Sequence, residues 1–273
     1  MVDSVLHIPV IKRVLIDAPV VHKVYMNWER THPFDQAYNV NTSGYVPADK
    51  IHADPKVQDV THPYAPVQPS VIRTILTALG DVTDYTFIDY GCGKGRATLV
   101  ATEFPFERII GVELSSSLAD IARMNAAVFA DRFPDRTKIE IYAQNVLDFE
   151  PPPSSALAIF IYHSFGRPVW ADVMKKLEAG LAEGRYRNLF LIYCNPVFWQ
   201  GLDASPYFTR WFAKTMAIHP SELGFGPDKT DTAVIWQSKC GARPSPYPDR
   251  EAQIIEHHLD WKAGLATDLK SRN

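Results

Sequence analysis

The sequence predicts an α/β fold built on an open, mostly parallel sheet with helices on both faces. Three observations predict it. Short apolar runs alternate with helical patterns through the middle of the chain, as strand–helix–strand units do. One run, Phe87-Ile88-Asp89-Tyr90, passes through the turn Gly91-Cys92-Gly93-Lys94-Gly95 directly into a helical segment opening at Arg96. A second run, Ile109-Ile110-Gly111-Val112-Glu113, ends in a carboxylate just before another helical segment. The 273 residues, 46% of them hydrophobic, supply a core for one such domain with an extension.

The elements follow in chain order. Residues 1–66 carry prolines, histidines and aromatics without a clean period, as in His32-Pro33-Phe34-Asp35 and His62-Pro63-Tyr64. They read as an irregular N-terminal extension, too aromatic for disorder, that serves as a lid over a substrate site. Residues 67–240 form the ligand-binding domain. Its strands are expected at 86–89, 108–113, 138–143, 157–162, 188–193 and 232–238, with a further one near 212–218. Its helices are expected at 69–79, 96–103, 115–133, 169–183 and 202–211. In the helix from Ser115, Leu118, Ile121, Ala122, Met124 and Val128-Phe129 make a one-sided apolar stripe, which is core. Residues 241–273 form a Pro-rich linker and a helix-like stretch at 251–269.

Composition narrows the function. Twenty-eight Lys and Arg against 31 Asp and Glu give a net charge of −3, which implies no broad basic face for nucleic acid. Cys92, Cys194 and Cys240 form neither a spaced metal set nor a disulfide framework. Residues 1–21 lack the apolar core of a signal peptide, and no run reaches the ~20 apolar residues that span a bilayer. A cytoplasmic protein with no membrane partner is expected; the oligomeric state is not legible.

Asp89, Gly91, Gly93 and Gly95 spell D-x-G-x-G-x-G. A dinucleotide turn is G-x-G-x-x-G, whose third glycine lets the helix pack closely; here Arg96 stands in that slot. The turn still suits a nucleoside-bearing ligand, with the positive end of the following helix aimed at a carboxylate or phosphate. Glu113 stands where an acidic side chain accepts from ribose hydroxyls; its other reading is a helix cap, a task Ser115 can perform itself. Lys94 and Arg96 either meet a ligand carboxylate or are solvated or paired locally. His257 and His258 are adjacent and point to different faces, which makes no metal site.

This loop resembles the first motif of class I S-adenosylmethionine (SAM) dependent methyltransferases. Tyr64-Ala65-Pro66-Val67-Gln68-Pro69 is similar to a segment of Dot1-like lysine methyltransferases and related uncharacterised bacterial methyltransferases. The resemblance extends over roughly residues 64–196. It implies a Rossmann-like seven-stranded sheet whose last strand is inserted antiparallel, and SAM as cofactor. It implies that the glycine loop backs the methionine half of SAM with Tyr64 and Pro66 over it, and that Asn145 and Val146 lie at the adenine. Where the family has an Asp at the adenine amino group this chain has Asn145, with Asp148 as the alternative. The N-P-P-Y segment is absent, and His163 replaces the expected Asn. The implied activity is methyl transfer to a nitrogen or oxygen acceptor on a small molecule or protein side chain. The alternatives are a non-catalytic SAM- or nucleoside-binding module and an NAD-dependent oxidoreductase.

His163 closes a central strand, where open α/β sheets place their ligands, and imidazole titrates near neutrality. It reads as a catalytic or acceptor-orienting group, or as a structural histidine of the cleft wall. Tyr162, with Phe165 and Trp170, reads as an aromatic wall around the acceptor or as core. Asn195-Pro196, Phe198 and Trp199 read as cleft edge or as a turn.

Overall fold

A computed structural model describes residues 30–251 apart from 53, 153–155, 187 and 227. The expectations for residues 1–21, for the helix at 251–269 and for His257 and His258 lie outside the described residues.

The described chain opens with three short helices, α1 (Pro33–Tyr38), α2 (Ala48–Ile51) and α3 (Pro55–Gln58). The expected irregular extension is thus partly helical. Next come α4 (Pro69–Ala78), β1 (Thr86–Tyr90), α5 (Arg96–Ala101), β2 (Arg108–Glu113), α6 (Ser116–Arg132) and β3 (Ile139–Ala143). Then follow β4 (Ala156–Tyr162), α7 (Arg167–Ala182), β5 (Asn188–Cys194), α8 (Trp199–Asp203), β6 (Phe208–Ala217) and β7 (Thr230–Ser238).

The seven strands form one sheet in the order β3-β2-β1-β4-β5-β7-β6. The first five strands pair in parallel, and β7 lies antiparallel between β5 and β6. This is the Rossmann-like arrangement. β1 is buried at every position because helices cover both faces, which is why it reads as a continuous apolar run. Phe87 and Phe160 pack with Ile72, Ile75 and Leu76 of α4 and with Leu99 and Val100 of α5 on one face. Ile88, Ile159 and Ile161 pack with Val173 and Leu177 of α7 on the other. Each such fully buried aliphatic side chain contributes about 1.5–3 kcal/mol.

Local chemistry sets the ends of the helices. Pro69 opens α4, where its missing N–H costs nothing. The Ser115 side chain caps α6 by accepting from the Leu118 N–H.

The helix expected at 202–211 is corrected. Only Trp199–Asp203 is helical, and from Phe208 the chain is β6. Pro206 disfavours a helical Ser205, and the aromatic run beyond it suits a pleated sheet. A bulge between Arg210 and Phe212 puts Trp211 and Phe212 into the same core, which erased the alternation that marks a strand.

Candidate functional site

The strand order reverses between β1 and β4, and open α/β sheets bind ligands at the carboxyl ends of the strands beside such a reversal. A cavity of about 190 Å³ lies there.

The glycine loop is its floor. Gly91 (φ 82°) and Gly93 (φ 54°) occupy the left-handed region. A Cβ at Gly93 would enter the Tyr64 ring, and one at Gly91 would enter the Ser164 side chain. The Tyr64 ring therefore lies flush against the loop, held by its hydroxyl, which donates to the Thr42 carbonyl at 2.7 Å. The Gly93 N–H donates to Glu113 Oε2 and the Ser115 N–H to Glu113 Oε1, both at 2.8 Å. One carboxylate thus fastens the loop after β1 to the end of β2 while still facing the cavity; each oxygen keeps a second lone pair.

Tyr64, Pro66, Asp89, Gly91, Gly93, Glu113, Asn145, Val146 and Tyr162 all line the cavity, brought from five separate segments. Gly95 does not line it; at φ 86° it starts α5 and closes the loop through its N–H to the Cys92 carbonyl. Asn145 Oδ1 accepts from the Leu147 N–H at 2.9 Å, so one of its lone pairs is engaged locally. The His163 ring is absent from the cavity wall. At φ 43° its side chain turns back, Nδ1 lies 2.8 Å from the Tyr193 hydroxyl, and the ring packs on His62, 4.4 Å between centroids. His62 lines the cavity in its place. Phe165 lines the cavity too, whereas Trp170 stacks on Tyr193 as core.

Electrostatics mark one corner. Burial, and then the neighbouring Glu113, hold the Asp89 carboxyl well above the usual carboxylate range. Burial also raises Glu113, against the pull of the backbone N–H donors.

Lys94 and Arg96 are paired, and with the extension rather than with solvent. Lys94 Nζ donates to the Ser43 carbonyl at 2.6 Å, and Arg96 Nε to Thr42 Oγ1 at 2.7 Å. Arg96 Nη2 lies 3.7 Å from Asp35 Oδ1, both side chains almost fully buried. Asp35 also accepts from the N–H groups and hydroxyls of Thr42 and Ser43. Asn125 Nδ2 bonds both the Asn41 and the Lys94 carbonyls at 2.9 Å. The anchors made by Lys94, Arg96 and Asn125 escape sequence reading because their partners lie 31–84 residues away; Asp35 after a helix-opening His32-Pro33 is the one local signal.

No protein-family model matches the chain, and no curated protein sequence matches it. Among solved structures, it is similar to an RNA methyltransferase from Salinibacter ruber in complex with S-adenosylhomocysteine, at 20% identity and TM-score 0.41, over 66% of this chain and 97% of that one. It is similar to a dimethyladenosine transferase from Plasmodium falciparum, at 12% identity and TM-score 0.43, over 64% of this chain and 62% of that one. It is also similar to TrmK of M. capricolum, bound to S-adenosylhomocysteine, at 10% identity and TM-score 0.43, over 62% of this chain and 68% of that one. The chain thus spans less than two thirds of the dimethyladenosine transferase. The expected partner set, a small-molecule or protein acceptor with no nucleic-acid signal, is corrected: several of the similar structures are described as methyltransferases of RNA.

No helix among the described residues is long and apolar enough to cross a membrane. No cluster of metal-ligating side chains occurs among them.

Proposed function

We propose that this chain is a SAM-dependent methyltransferase whose cofactor occupies the 190 Å³ cavity. The observation that carries the reading is Glu113, which ties the glycine loop to β2 through the Gly93 N–H while facing the cavity. That carboxylate suits ribose hydroxyls, and the loop backbone suits the methionine half. Tyr64 and Pro66 cover it, and Asn145 and Val146 flank the adenine. Burial holds the Asp89 carboxyl neutral to an unusually high pH, and a cationic ligand beside it would favour its ionised form.

When bound, SAM supplies a methyl carbon activated by its sulfonium charge. The protein's part is to align a nucleophile with that carbon and exclude water. The apolar wall of Val60, Pro63 and Phe165 serves exclusion. Tyr162 stands at the reacting end, fixed by its hydrogen bond to Asp231. His163 acts as a positioning residue, bracing His62 from behind. What the similar structures act on brings RNA among the acceptors to be tested.

Calorimetry with SAM, S-adenosylhomocysteine and NAD tests the reading. Binding of the first two and not NAD is expected; binding of NAD alone overturns it. Radiolabel transfer from SAM into an RNA pool then reports on the acceptor.

A further inference from the structure

We propose that His52, carried on the lid that the extension forms, is the base that takes the proton from the methyl acceptor. The inference rests on the cavity being the SAM site. It calls for an acceptor that sheds a proton as it is methylated, a hydroxyl or an amino group rather than a thioether or a pyridine-type ring nitrogen.

Elimination along the cavity wall leads to His52. Tyr64 donates to the Thr42 carbonyl, Glu113 holds two backbone N–H groups, and Arg96 is committed to Thr42 and Asp35. The Thr61 hydroxyl donates to the Val57 carbonyl at 2.8 Å, and Tyr162 is bonded to Asp231. His62 is engaged within the fold, and its Nε2 is sealed from the cavity. Among the described residues, the lining side chains of His52, Asp89, Gln144 and Ser164 carry polar atoms and make no hydrogen bond. Asp89 belongs to the glycine-loop corner, where burial holds its proton on; a carboxyl that keeps its proton takes no other. The amide of Gln144 and the hydroxyl of Ser164 do not titrate near neutrality. The imidazole does.

Two sets of hydrogen bonds place His52 at the reacting end. It closes α2, and its carbonyl accepts from Gln58 Nε2 at 2.7 Å. Two residues beyond Gln58, the Val60 carbonyl accepts from the Gly166 N–H at 2.8 Å, and the His62 N–H donates to the Ser164 carbonyl at 3.3 Å. The lid is thus fastened to the end of β4, where Tyr162 stands, and carries His52 there. His52 is half-buried and its ring nitrogens are not sealed. A proton taken on the cavity side can therefore pass to water.

Burial lowers the His52 pKa, which keeps the ring neutral and able to accept at neutral pH. The ionisable groups nearest along the lid are Asp49 and Lys50 on α2 and Asp54, Lys56 and Asp59 on or beside α3. Across the cavity stand Asp89, Glu113 and the paired Arg96. None of them contributes to the His52 shift, whose cause is burial.

The step balances. A lone pair of the acceptor forms the new bond to the methyl carbon, the carbon–sulfur bond breaks with its electron pair on sulfur, and a ring nitrogen of His52 receives the acceptor's proton.

The test needs no natural acceptor. Sinefungin is SAM with the methylated sulfur replaced by a carbon bearing an amino group, so its ammonium stands where the methyl group would. Calorimetry measures sinefungin and S-adenosylhomocysteine on the full native chain, on His52→Ala and on His52→Gln, from about pH 5 to about pH 8. The ratio of the two affinities cancels what the ligands share. A neutral imidazole accepts from the ammonium, whereas a protonated one repels it. The native ratio should be highest at about pH 8 and fall with pH through a midpoint below about 6.5. His52→Ala should lower the ratio at about pH 8 by about 10-fold and flatten that fall; the slope that remains belongs to Asp89 and Glu113. His52→Gln accepts through its amide oxygen without titrating, so it should keep much of the ratio and show the same flattened profile. A ratio and profile unchanged in His52→Ala overturn the assignment while the SAM reading stands, as does a native chain that binds sinefungin no more tightly than S-adenosylhomocysteine. A fall with pH that survives undiminished in both variants overturns it too. Failure of S-adenosylhomocysteine to bind the native chain overturns the methyltransferase reading and this inference with it.

Discussion

At the ends of β1 and β2, Asp89 and Glu113 share one buried corner, and each is harder to ionise for it. A raised carboxyl pKa means the folded chain holds protons that the unfolded chain has released above about pH 4. Stability therefore falls as pH rises from there towards the folded-state values. Asp89→Asn keeps the shape and removes the charge. It is expected to melt higher than the native protein at about pH 8, with the gap narrowing towards pH 4; a thermal melt at each pH checks this. The same variant should lose affinity for cationic SAM more than for S-adenosylhomocysteine, which lacks the sulfonium. Glu113→Ala should cost SAM binding about 1.5–3 kcal/mol by calorimetry, the worth of a hydrogen bond to a charged group. An unchanged affinity removes Glu113 from the site.

Among the elements, the extension is the one whose attachment decides the site's shape. It is held by the buried Asp35–Arg96 pair, by Asn125 and by the bridge Thr61–Phe165, while the bridge Val46–Tyr64 ties the extension to itself. Asp35→Ala strands the Arg96 charge in the interior and should cost about 3–5 kcal/mol in denaturant unfolding. The cavity, at about 190 Å³, is smaller than the ~300–1,000 Å³ of most small-molecule sites. Among the described residues, the stretch 51–66 forms much of the cavity wall and adds no strand to the sheet. Hydrogen exchange should show protection there on adding S-adenosylhomocysteine, with the β1–β4 core unchanged. His32, which opens α1, has its pKa lowered to about 4 by burial and then by Arg96. The unfolded chain takes up that proton near pH 6.5, so stability is full above pH 6.5 and is lost as pH falls towards 4.

For the whole molecule, the positions of the first five strands and of the glycine loop were legible in the sequence because both are local signals. Apolar runs bounded by turns gave β1 to β5, and the spacing of Asp89, Gly91, Gly93 and Gly95 gave the loop. The β6 segment was misread because its bulge cancels the alternation. Asp35, Thr42 and Asn125 were not foreseen because their partners meet only through the tertiary fold. His163 was placed correctly on its strand end, but a left-handed φ turned its ring away from the cavity, which spacing does not reveal. Ile75→Ala, on the buried face of α4 at 0% exposure, should lower global stability by about 2–5 kcal/mol without altering S-adenosylhomocysteine affinity; an equal loss of binding would mean that core and site are coupled.

The late insertion of β7 has a consequence for synthesis and inheritance. Every residue lining the cavity lies at or before Val169, whereas β7 begins only at Thr230. The cavity wall is therefore translated before β6 and β7 complete the sheet. A change confined to the β6–β7 hairpin leaves every one of those lining residues as it was.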